Sequence, residues 1–347
     1  MERTERKYWN SENETMPLDK LRKLQEEKLR GVVAYAYEKS ALYRRKYDEA
    51  GVKPGDINTL DDLKKLPLLE SLDEFMKTPL PENITVPMKE VKQISSTTGT
   101  TTGLGRPFLM TAQELIPYYN LEASARWMLG VRPDDVVQVL TGFECCRRGY
   151  ETLGATTLFI HTGRGILDQQ IKLAEMVGVT VIEHLCSLVP PYFERAKELG
   201  IDIRKTKLRL VSGVGENWAE AFKKKVELEY GVTFRAIYGS VEMDIVGAEC
   251  AEGNGMHIFP DYHIIEVIDP ETLEVLGPGE EGELVVTSLF NETMPLIRYR
   301  PGDVASILPY EPCPCGRTYP KISMIKGRTS QIIKIMGKKL FPIDVEE

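Results

Sequence analysis

The chain has 347 residues and a mass of 39.2 kDa, which fits one large α/β domain or two to three subdomains. Its composition, 42% hydrophobic and 28% charged, excludes a disordered or fibrous protein. The 44 basic and 52 acidic residues give a net charge of −8, so the positive charge typical of duplex-binding proteins is missing. The N-terminus is charged and no apolar run approaches the roughly 20 residues of a membrane span, so we expect a soluble, cytoplasmic protein.

The first part of the chain is predicted to be helical. In residues 18–40 apolar side chains recur mostly every three to five residues, which predicts an amphipathic helix. These side chains are Leu21, Leu24, Leu29, Val32, Val33 and Tyr37. Residues 58–63 then have the pattern of a capped helical turn closed by Pro67. We assign residues 1–90 to an N-terminal helical region.

From residue 91 to residue 259 the pattern changes to alternating strands and helices. Short β-branched runs predict strands at 136–140, 156–161, 179–184, 208–214 and 234–239. The amphipathic runs between them predict helices at 111–129, 166–178, 190–200 and 216–231. This alternation predicts an α/β nucleotide-binding region with a mostly parallel, helix-covered sheet.

After residue 260 the helical pattern stops. Strand-like runs separated by turn-rich segments predict a small antiparallel β subdomain over residues 260–326. Residues 327–347 read as a hinge and a strand-like pair joined by Gly337, and this pattern stops midway. We therefore expect these residues to begin a truncated C-terminal domain.

Residues 95–107 contain the densest chemical signal. Seven hydroxyl side chains and three glycines in thirteen residues suit a loop that wraps a polyphosphate with hydroxyl and backbone N–H donors. No Gly-Lys-Ser/Thr follows, so this segment is not a Walker loop. On composition alone, a Ser/Thr-rich surface linker is the alternative.

Three further motifs lie at predicted strand ends. Residues 214–218 follow one strand, residues 238–242 follow the next, and residues 298–303 precede another. Glycines at strand ends let a ligand approach the backbone closely, the usual arrangement at the carboxyl edge of an open α/β sheet. With the hydroxyl-rich loop upstream, the carboxylates of these motifs indicate a metal–nucleotide site.

The order and spacing of these segments resemble the adenylate-forming superfamily of acyl-CoA synthetases, luciferases and peptide-synthetase adenylation domains. More narrowly, they resemble the phenylacetate–CoA ligase group with its coenzyme F390 synthetase relatives. The resemblance runs from about Tyr35 to the end of the chain. It is carried by SALYRRKYDEAGVKPGDINTLDDLKKLPLLE, the hydroxyl-rich loop, GMHIF, MPLIRYRPGD, CPCGRT and GRTSQIIKIMGKKLFP. It implies an α/β large N-terminal domain whose small C-terminal partner domain is missing.

The resemblance also implies roles for individual residues. The loop would hold the β- and γ-phosphates of ATP, residues 215–217 would line the adenine, and Tyr238 would stack on it. Glu242 would hold Mg²⁺, Asp303 would bind the ribose hydroxyls, and Arg328 would lie near the ribose at the hinge. The implied nucleotide-binding residues are Ser96, Thr98, Gly99, Thr100, Thr101, Thr102, Gly103, Gly215, Glu216, Asn217, Tyr238, Gly239, Ser240, Asp303 and Arg328. The implied catalytic residues are Thr98, Glu242 and Arg328.

The implied reaction has two steps. A carboxylate, by family analogy an aryl or arylacetic acid, attacks the α-phosphate of Mg·ATP to form an acyl-adenylate and pyrophosphate. Coenzyme A then displaces AMP, and the protein contributes mainly positioning and charge stabilisation. Two alternatives are adenylation without CoA transfer, as in F390 synthetases, and a catalytically silent nucleotide-binding homologue.

Several positions depart from the family pattern. Arg106 stands where the loop lysine is usual, and Val241 replaces the Ser or Thr that contacts the α-phosphate, with Ser240 as a substitute. Pro301 and Ser330 replace the usual Thr and hinge Asp. The family's C-terminal domain carries the lysine that orients the reacting groups, so we expect this chain alone to bind nucleotide but to adenylate poorly.

Four residues form a second constellation. Cys250, His257, Cys313 and Cys315 offer three thiols and an imidazole, the donor set of a structural zinc site. Free thiols beside an unrelated histidine are the alternative, because two of the ligands must converge from a distance. The resemblance favours zinc, since it places these segments on neighbouring elements.

The remaining predictions concern the acyl site and the assembly. Phe143, and with it Cys145 and Tyr150, could line the acyl site, although a surface loop explains this segment equally well. His184 and His263 have the pattern of packed histidines rather than of catalysts. The expected partner is a small carboxylic acid, with no nucleic acid or membrane. We expect a homodimer, because it is the commonest assembly of soluble proteins.

Overall fold

The N-terminal part of the chain is helical. The computed structural model describes residues 6–77, 79–97, 105–160, 165–335, 338–341 and 343–346. Its first helices are α1 Ser11–Glu14, α2 Leu18–Lys39, α3 Ala41–Ala50, α4 Asp73–Met76 and α5 Leu80–Asn83. Helix α2 confirms the predicted amphipathic helix, since Leu21, Leu29 and Val33 are buried. Ser40 caps α3 and Gly51 ends it in the left-handed conformation that glycine favours.

The middle of the chain alternates strands and helices, as predicted. Its elements are β1 Val91–Ser96, β2 Pro107–Thr111, α6 Ala112–Leu129, β3 Val136–Val139, α7 Glu144–Leu153, β4 Thr156–Phe159, α8 Leu167–Val177, β5 Val181–Leu185, α9 Val189–Glu198, β6 Leu210–Val214, α10 Glu220–Tyr230, β7 Thr233–Ser240, β8 Asp244–Glu249 and β9 Met256–Ile258. Strands β4, β3, β5, β6 and β7 lie side by side and parallel. Their shared direction brings their carboxyl ends to one edge, where ligands bind in open α/β sheets.

The remaining elements are mostly strands. They are β10 His263–Ile268, β11 Gly282–Ser288, β12 Asp303–Ala305, β13 Lys321–Ile322, β14 Gly327–Arg328, β15 Ile333–Ile335, β16 Lys338–Leu340 and α11 Ile343–Glu346. Strands β10, β11, β12 and β14 form an antiparallel sheet, which agrees with the predicted antiparallel character of this region. The division into four domains stays a prediction.

The parallel sheet continues into an antiparallel extension that the sequence did not reveal. Strand β8 pairs antiparallel with β7, and β9 and β13 extend the sheet further. Every residue of β8 is buried, so the strand has no apolar–polar alternation for a pattern search to detect. Its first residue, Asp244, lies at the edge where the nucleotide motifs meet.

Helix α6 packs inside the molecule rather than on its surface. Its second half is buried almost continuously, including the charged side chains of Glu122 and Arg126. The contacts of α6 with α7 and β8 place these charges under the carboxyl edge of the sheet. No helix in the described ranges is long and apolar enough to cross a membrane.

Candidate active site

A cavity of about 860 Å³ opens at the carboxyl ends of β5, β6 and β7. Its other walls come from the antiparallel sheet and from helices α6 and α7. The residues singled out in the sequence that line it are Thr97, Arg106, Phe143, Cys145, Gly215, Glu216, Gly239, Ser240, Val241, Glu242, Pro301, Gly302, Arg328 and Ser330. Segments more than 200 residues apart in the chain therefore converge on one space, whose size suits a small-molecule site.

The base of the hydroxyl-rich loop lies at this cavity. Strands β1 and β2 pair antiparallel, and the Thr97 amide donates to the Arg106 carbonyl at 3.0 Å. The Arg106 amide donates to Thr97 Oγ1 at 2.9 Å, which closes the loop at its root. Residues 98–104, which include the predicted contacts Thr98, Gly99, Thr100, Thr101, Thr102 and Gly103, lie outside the described residues. Ser96 is exposed and does not line the cavity.

Arg106 has an acidic partner instead of being free for a phosphate. Its Nε lies 2.5 Å from Asp73 Oδ1 and its Nη2 lies 2.7 Å from Asp73 Oδ2. This bidentate pair lowers the pKa of Asp73, first through the hydrogen bond from Arg106. Arg106 nevertheless lines the cavity, so an incoming phosphate would compete with Asp73 for the guanidinium.

Tyr238, Asp303 and Arg328 form one hydrogen-bonded cluster. The Tyr238 hydroxyl donates to Asp303 Oδ2 at 2.8 Å, and Arg328 Nε lies 3.4 Å from Asp303 Oδ1. Pairing of β12 with β14 sets Asp303 directly opposite Arg328. Burial raises the pKa of Asp303, although both partners act in the opposite direction. Three residues implied for the nucleotide site thus lie together, from three separate strands.

Not every implied nucleotide contact lines the cavity. Tyr238 and Asp303 do not line the cavity themselves, but each is the chain neighbour of a glycine that does, Gly239 or Gly302. Asn217 is exposed and lies outside the lining. Glu216 does line it, and its Oε2 accepts a hydrogen bond from the Ser187 amide at 2.8 Å. This contact ties the end of β6 to the segment that follows β5.

Glu242 accepts a hydrogen bond from the segment that contains Arg298, Tyr299 and Arg300. The Tyr299 hydroxyl donates to Glu242 Oε1 at 3.0 Å, and the side chain of Glu242 is buried at the cavity wall. The Ser240 hydroxyl accepts a hydrogen bond from the Met243 amide at 3.3 Å. Ser240 therefore stabilises the turn between β7 and β8 and also faces the cavity, as its suggested phosphate contact requires.

The segment that carries Tyr299 is fixed by its neighbouring arginines. Arg298 adopts a left-handed backbone with φ +50°, and its guanidinium makes two 3.0 Å contacts with the Glu266 carboxylate. Arg300 pairs with Glu283 at 2.6 and 3.0 Å and with Glu70 at 2.6 Å. Bidentate pairs of this kind specify one geometry, so Tyr299 is aimed at Glu242.

A polar group in the cavity lining escaped the sequence analysis. Glu122, Arg126 and Asp244 line the cavity beside Phe143 and Cys145. Arg126 Nη1 donates to the Glu122 carboxylate, and the two residues stand four apart on buried helix α6. A charged pair at that spacing inside the apolar run LEASARWML was the available signal, but the same spacing is common on exposed helices.

The polar group continues behind the cavity wall. Arg126 Nη2 donates to Glu183 Oε2 at 2.9 Å, and the Tyr150 hydroxyl donates to the same oxygen at 2.8 Å. Tyr150, predicted as a candidate acyl contact, is fully buried and orients Glu183 instead of lining the cavity. Phe143 and Cys145, the other two candidates, do line it.

The four candidate zinc ligands converge away from the cavity. One ligand atom from each of Cys250, His257, Cys313 and Cys315 lies within 4.8 Å of the others, and all four residues are buried. The sulfurs of Cys250 and Cys313 are 3.8 Å apart, and Cys315 Sγ lies 3.4 Å from His257 Nε2. His257 Nδ1 lies 2.7 Å from the Tyr319 carbonyl, which can only accept. The proton therefore sits on Nδ1 and Nε2 faces the thiols.

Comparison with known proteins places the chain in a family. No family model matches it. It is 35% identical over 350 residues to a phenylacetate-coenzyme A ligase of Thermus thermophilus, covering 97% of this chain and 77% of the relative. A phenylacetate-coenzyme A ligase of Escherichia coli K12 is 32% identical over 350 residues, with 96% and 77% covered.

Solved structures agree with these relatives. 2-Hydroxyisobutyryl-CoA ligase in its postadenylation state, in complex with R3-HIB-AMP, matches with a TM-score of 0.91 at 25% identity, covering 99% of this chain and 75% of that one. An open conformation of the same ligase with 2-HIB-AMP and CoA matches with a TM-score of 0.89 at 25% identity, covering 99% and 83%. The chain therefore belongs to the phenylacetate–CoA ligase family of adenylate-forming enzymes, and it is an AMP-forming acid:CoA ligase that activates a carboxylic acid as its adenylate and transfers the acyl group to CoA.

Proposed function

We propose that the acid activated by this enzyme is an aryl or arylacetic acid. The observation that carries this proposal is one cavity whose lining includes both the nucleotide motifs and a space walled by Phe143 and by residues of α6 and α7. Tyr118 and Ile237 add apolar surface to that space, which suits a ring. The names of the Thermus thermophilus and Escherichia coli relatives support an arylacetic acid.

The proposed nucleotide site uses the residues implied by the sequence. Asp303 would accept hydrogen bonds from the ribose hydroxyls, and Arg328 beside it would offset the charge of the phosphates. Tyr238 would flank the adenine, while its hydroxyl keeps Asp303 in place. Gly215, Glu216, Gly239 and Ser240 would present their backbone to the nucleotide, and residues 96–103 would hold the β- and γ-phosphates.

We also propose that Glu242 binds Mg²⁺. Its carboxylate is buried at the cavity wall and oriented by Tyr299, and a single oriented carboxylate suits a cation that is otherwise held by phosphates and water. When bound, the cation would neutralise the pyrophosphate as it leaves. The protein's own part is positioning: Glu242 and Arg328 fix the triphosphate, and the acyl space aims the carboxylate at the α-phosphorus.

Non-reactive adenylate analogues test the substrate class without requiring turnover. Phenylacetyl, octanoyl and phenylalanyl sulfamoyladenosine share the nucleotide and differ only in the acyl group. We expect isothermal titration calorimetry to give the phenylacetyl analogue a dissociation constant at least about tenfold lower than the other two. Equal affinities, or tightest binding of the octanoyl analogue, would contradict an aryl acid, and AMP titrated alone is the control for the nucleotide site.

We further propose that the Cys₃His cluster binds a structural zinc ion. A tetrahedral site with Zn–S bonds of about 2.3 Å has S···S edges of about 3.8 Å, which matches the Cys250–Cys313 separation. His257 offers Nε2 and is oriented by the Tyr319 carbonyl, the arrangement typical of metal-binding histidines. Because β9 and β13 carry or adjoin these ligands, the ion would fasten the antiparallel extension of the large sheet.

Elemental analysis tests the zinc proposal. We expect about one zinc per chain in the purified protein, and less than about a fifth of that in Cys313→Ser, because losing one thiolate weakens a four-ligand site strongly. Cys186→Ser is the matched control, since Cys186 is an equally buried thiol outside the cluster. A stable, metal-free wild-type protein would contradict the proposal. The cytoplasmic location and the homodimer stay predictions.

A further inference from the structure

We propose that the acid carries a hydrogen-bond donor, a hydroxyl or an amine, on the end remote from its carboxylate, and that Asp244 accepts the hydrogen bond. This inference rests on the proposed aryl substrate and specifies it. The simplest member of that class, an unsubstituted phenylacetate, would then be a poorer substrate than its hydroxy or amino derivatives.

Position is the first reason. Asp244 begins strand β8, two residues after Glu242, and lines the cavity together with Glu122 and Arg126. Asp244 lies close to Cys145 and Glu122, whereas Glu242 lies close to Tyr299 and Arg106. We assign the first group to the acyl side of the cavity and the second to the nucleotide side. A ring seated beside Phe143 would direct its far substituent towards this carboxylate, because the carboxylate end must face the phosphates.

Unsatisfied hydrogen bonding is the second reason. The Asp244 side chain is only 2% exposed, and neither of its carboxylate oxygens has a hydrogen-bond partner in the described part of the chain. A buried carboxylate that accepts no hydrogen bond is destabilising and uncommon. The neighbouring side chain of Glu122 is itself an acid, so an ionised Asp244 calls for a donor from the ligand. A donor on the ligand would favour the ionised form of Asp244, and the ionised carboxylate repels a group that can only accept.

Charge balance is the third reason. Two buried carboxylates, Glu122 and Glu183, contact the guanidinium of Arg126, and the buried carboxyl of Asp244 lies close to Glu122. The two terminal nitrogens of Arg126 are engaged by Glu122 and Glu183, which leaves Asp244 without a cation. Burial, and after it the charge of the neighbouring Glu122, raises the pKa of Asp244, as expected for a carboxyl that faces another acid rather than a cation.

The backbone at Asp244 decides which variants are informative. Asp244 has φ +59°, in the left-handed region that Gly, Asn and Asp adopt most easily. Asp244→Gly removes the carboxylate without straining this backbone, and Asp244→Asn keeps the shape without the charge. A change to Ala or Val would mix the loss of the acceptor with backbone strain.

The experiment compares sulfamoyladenosine analogues that differ only on the ring. The acyl groups are phenylacetyl and its hydroxy, amino, methoxy and aminomethyl derivatives, each at the ortho, meta and para positions. We expect the hydroxy or the amino analogue at one ring position to bind about tenfold more tightly than phenylacetyl, since one buried hydrogen bond is gained. The methoxy analogue, which only accepts, should not gain. Preferred binding of the aminomethyl analogue would identify the donor as cationic.

The variants decide whether Asp244 is the acceptor. In Asp244→Gly the preference for the donor-bearing analogue over phenylacetyl should fall to within about twofold, and AMP titrated with the same variant reports whether the nucleotide site is still formed. Asp168→Asn, an exposed aspartate that pairs with Arg195 outside the cavity, is the matched control and should keep the preference. Equal affinity of the parent and every donor-bearing analogue, or a preference that survives in Asp244→Gly, would overturn the inference alone. Binding of AMP with no binding of any aryl analogue would instead overturn the proposed aryl substrate.

Discussion

Asp303 illustrates what single residues contribute to this site. Its motif was visible in the sequence, and the structure adds its partners, Tyr238 at 2.8 Å and Arg328 at 3.4 Å. Those three residues come from strands β7, β12 and β14. No local pattern links them, because their contact depends on how two separate sheets meet. The sequence suggested only a stacking role for Tyr238. In the structure its hydroxyl also orients the Asp303 carboxylate.

Substitution of Asp303 gives a prediction at this scale. Asp303→Ala should weaken AMP binding by about 1–3 kcal/mol, or about 5- to 150-fold in Kd, because a charge-assisted pair of hydrogen bonds to the ribose is lost. Isothermal titration calorimetry with AMP measures the change. Asp19→Ala, on the exposed first turn of α2, is the control and should bind as the wild type does. Unchanged affinity in Asp303→Ala would remove this residue from the nucleotide site.

At the scale of elements, the turn from β7 to β8 decides the geometry of the cavity. The pairing of these strands shifts register between Tyr238 and Gly239, and Ser240 then lies opposite Asp244. A Cβ built on Gly239 would lie 2.2 Å from the Asp244 carbonyl oxygen, so only glycine allows the two strands to approach this closely. Glu242 and Asp244, which both line the cavity, follow directly after this irregularity.

Two glycine substitutions separate this role from general backbone effects. Gly239→Ala should lower the free energy of unfolding by at least about 2 kcal/mol, since backbone atoms must move to accommodate the methyl group. Gly31→Ala, on the exposed face of α2 with nothing within 4 Å of the new methyl, should raise it by about 0.5–1 kcal/mol. Urea denaturation measures both. An unchanged free energy of unfolding in Gly239→Ala would mean that the two strands can move apart without cost.

Three histidines are buried in the described part of the molecule, and two of them, His184 and His263, lie outside the Cys₃His cluster. Burial lowers the pKa of His184 to about 4 and that of His263 to about 3. His263 packs against Phe290, with ring centroids 5.8 Å apart, in agreement with its prediction as a packed histidine. Both are therefore neutral in the folded state at pH 5, whereas an unfolded histidine is charged there.

This difference predicts a pH dependence of stability. Because the unfolded chain binds more protons than the folded one between about pH 3 and pH 6.5, stability falls as the pH is lowered through that range. From pH 7 to pH 5 each of the two histidines should lower the free energy of unfolding by about 2 kcal/mol. In His263→Phe the share due to His263 should vanish, so the variant should gain about 2 kcal/mol relative to the wild type over the same step. Any packing cost of the new ring is independent of pH and cancels in this comparison. Urea denaturation at both pH values measures the free energy of unfolding of the two proteins. The same difference between them at pH 7 and at pH 5 would contradict the prediction.

The sequence by itself determined the alternation of strands and helices and the order of the nucleotide motifs. Both are local properties, since periodicity follows from the geometry of one element and each motif is a short turn beside one strand. The family resemblance depended on the same local stretches, and the relatives and solved structures confirm it. The four Cys and His positions were also readable, because few residue types bind zinc.

Only the tertiary structure decided which side chains face each other. The pairing of Arg106 with Asp73, the strands β8 and β9, and the cluster of Glu122, Arg126 and Asp244 depend on contacts between segments that are distant in the chain. In the sequence a buried aspartate looks the same as an exposed one, since the cost of burying a charge arises from its surroundings in three dimensions. The proposed chemistry of the acid's far end rests on that cost and could not have been reached before the fold was known.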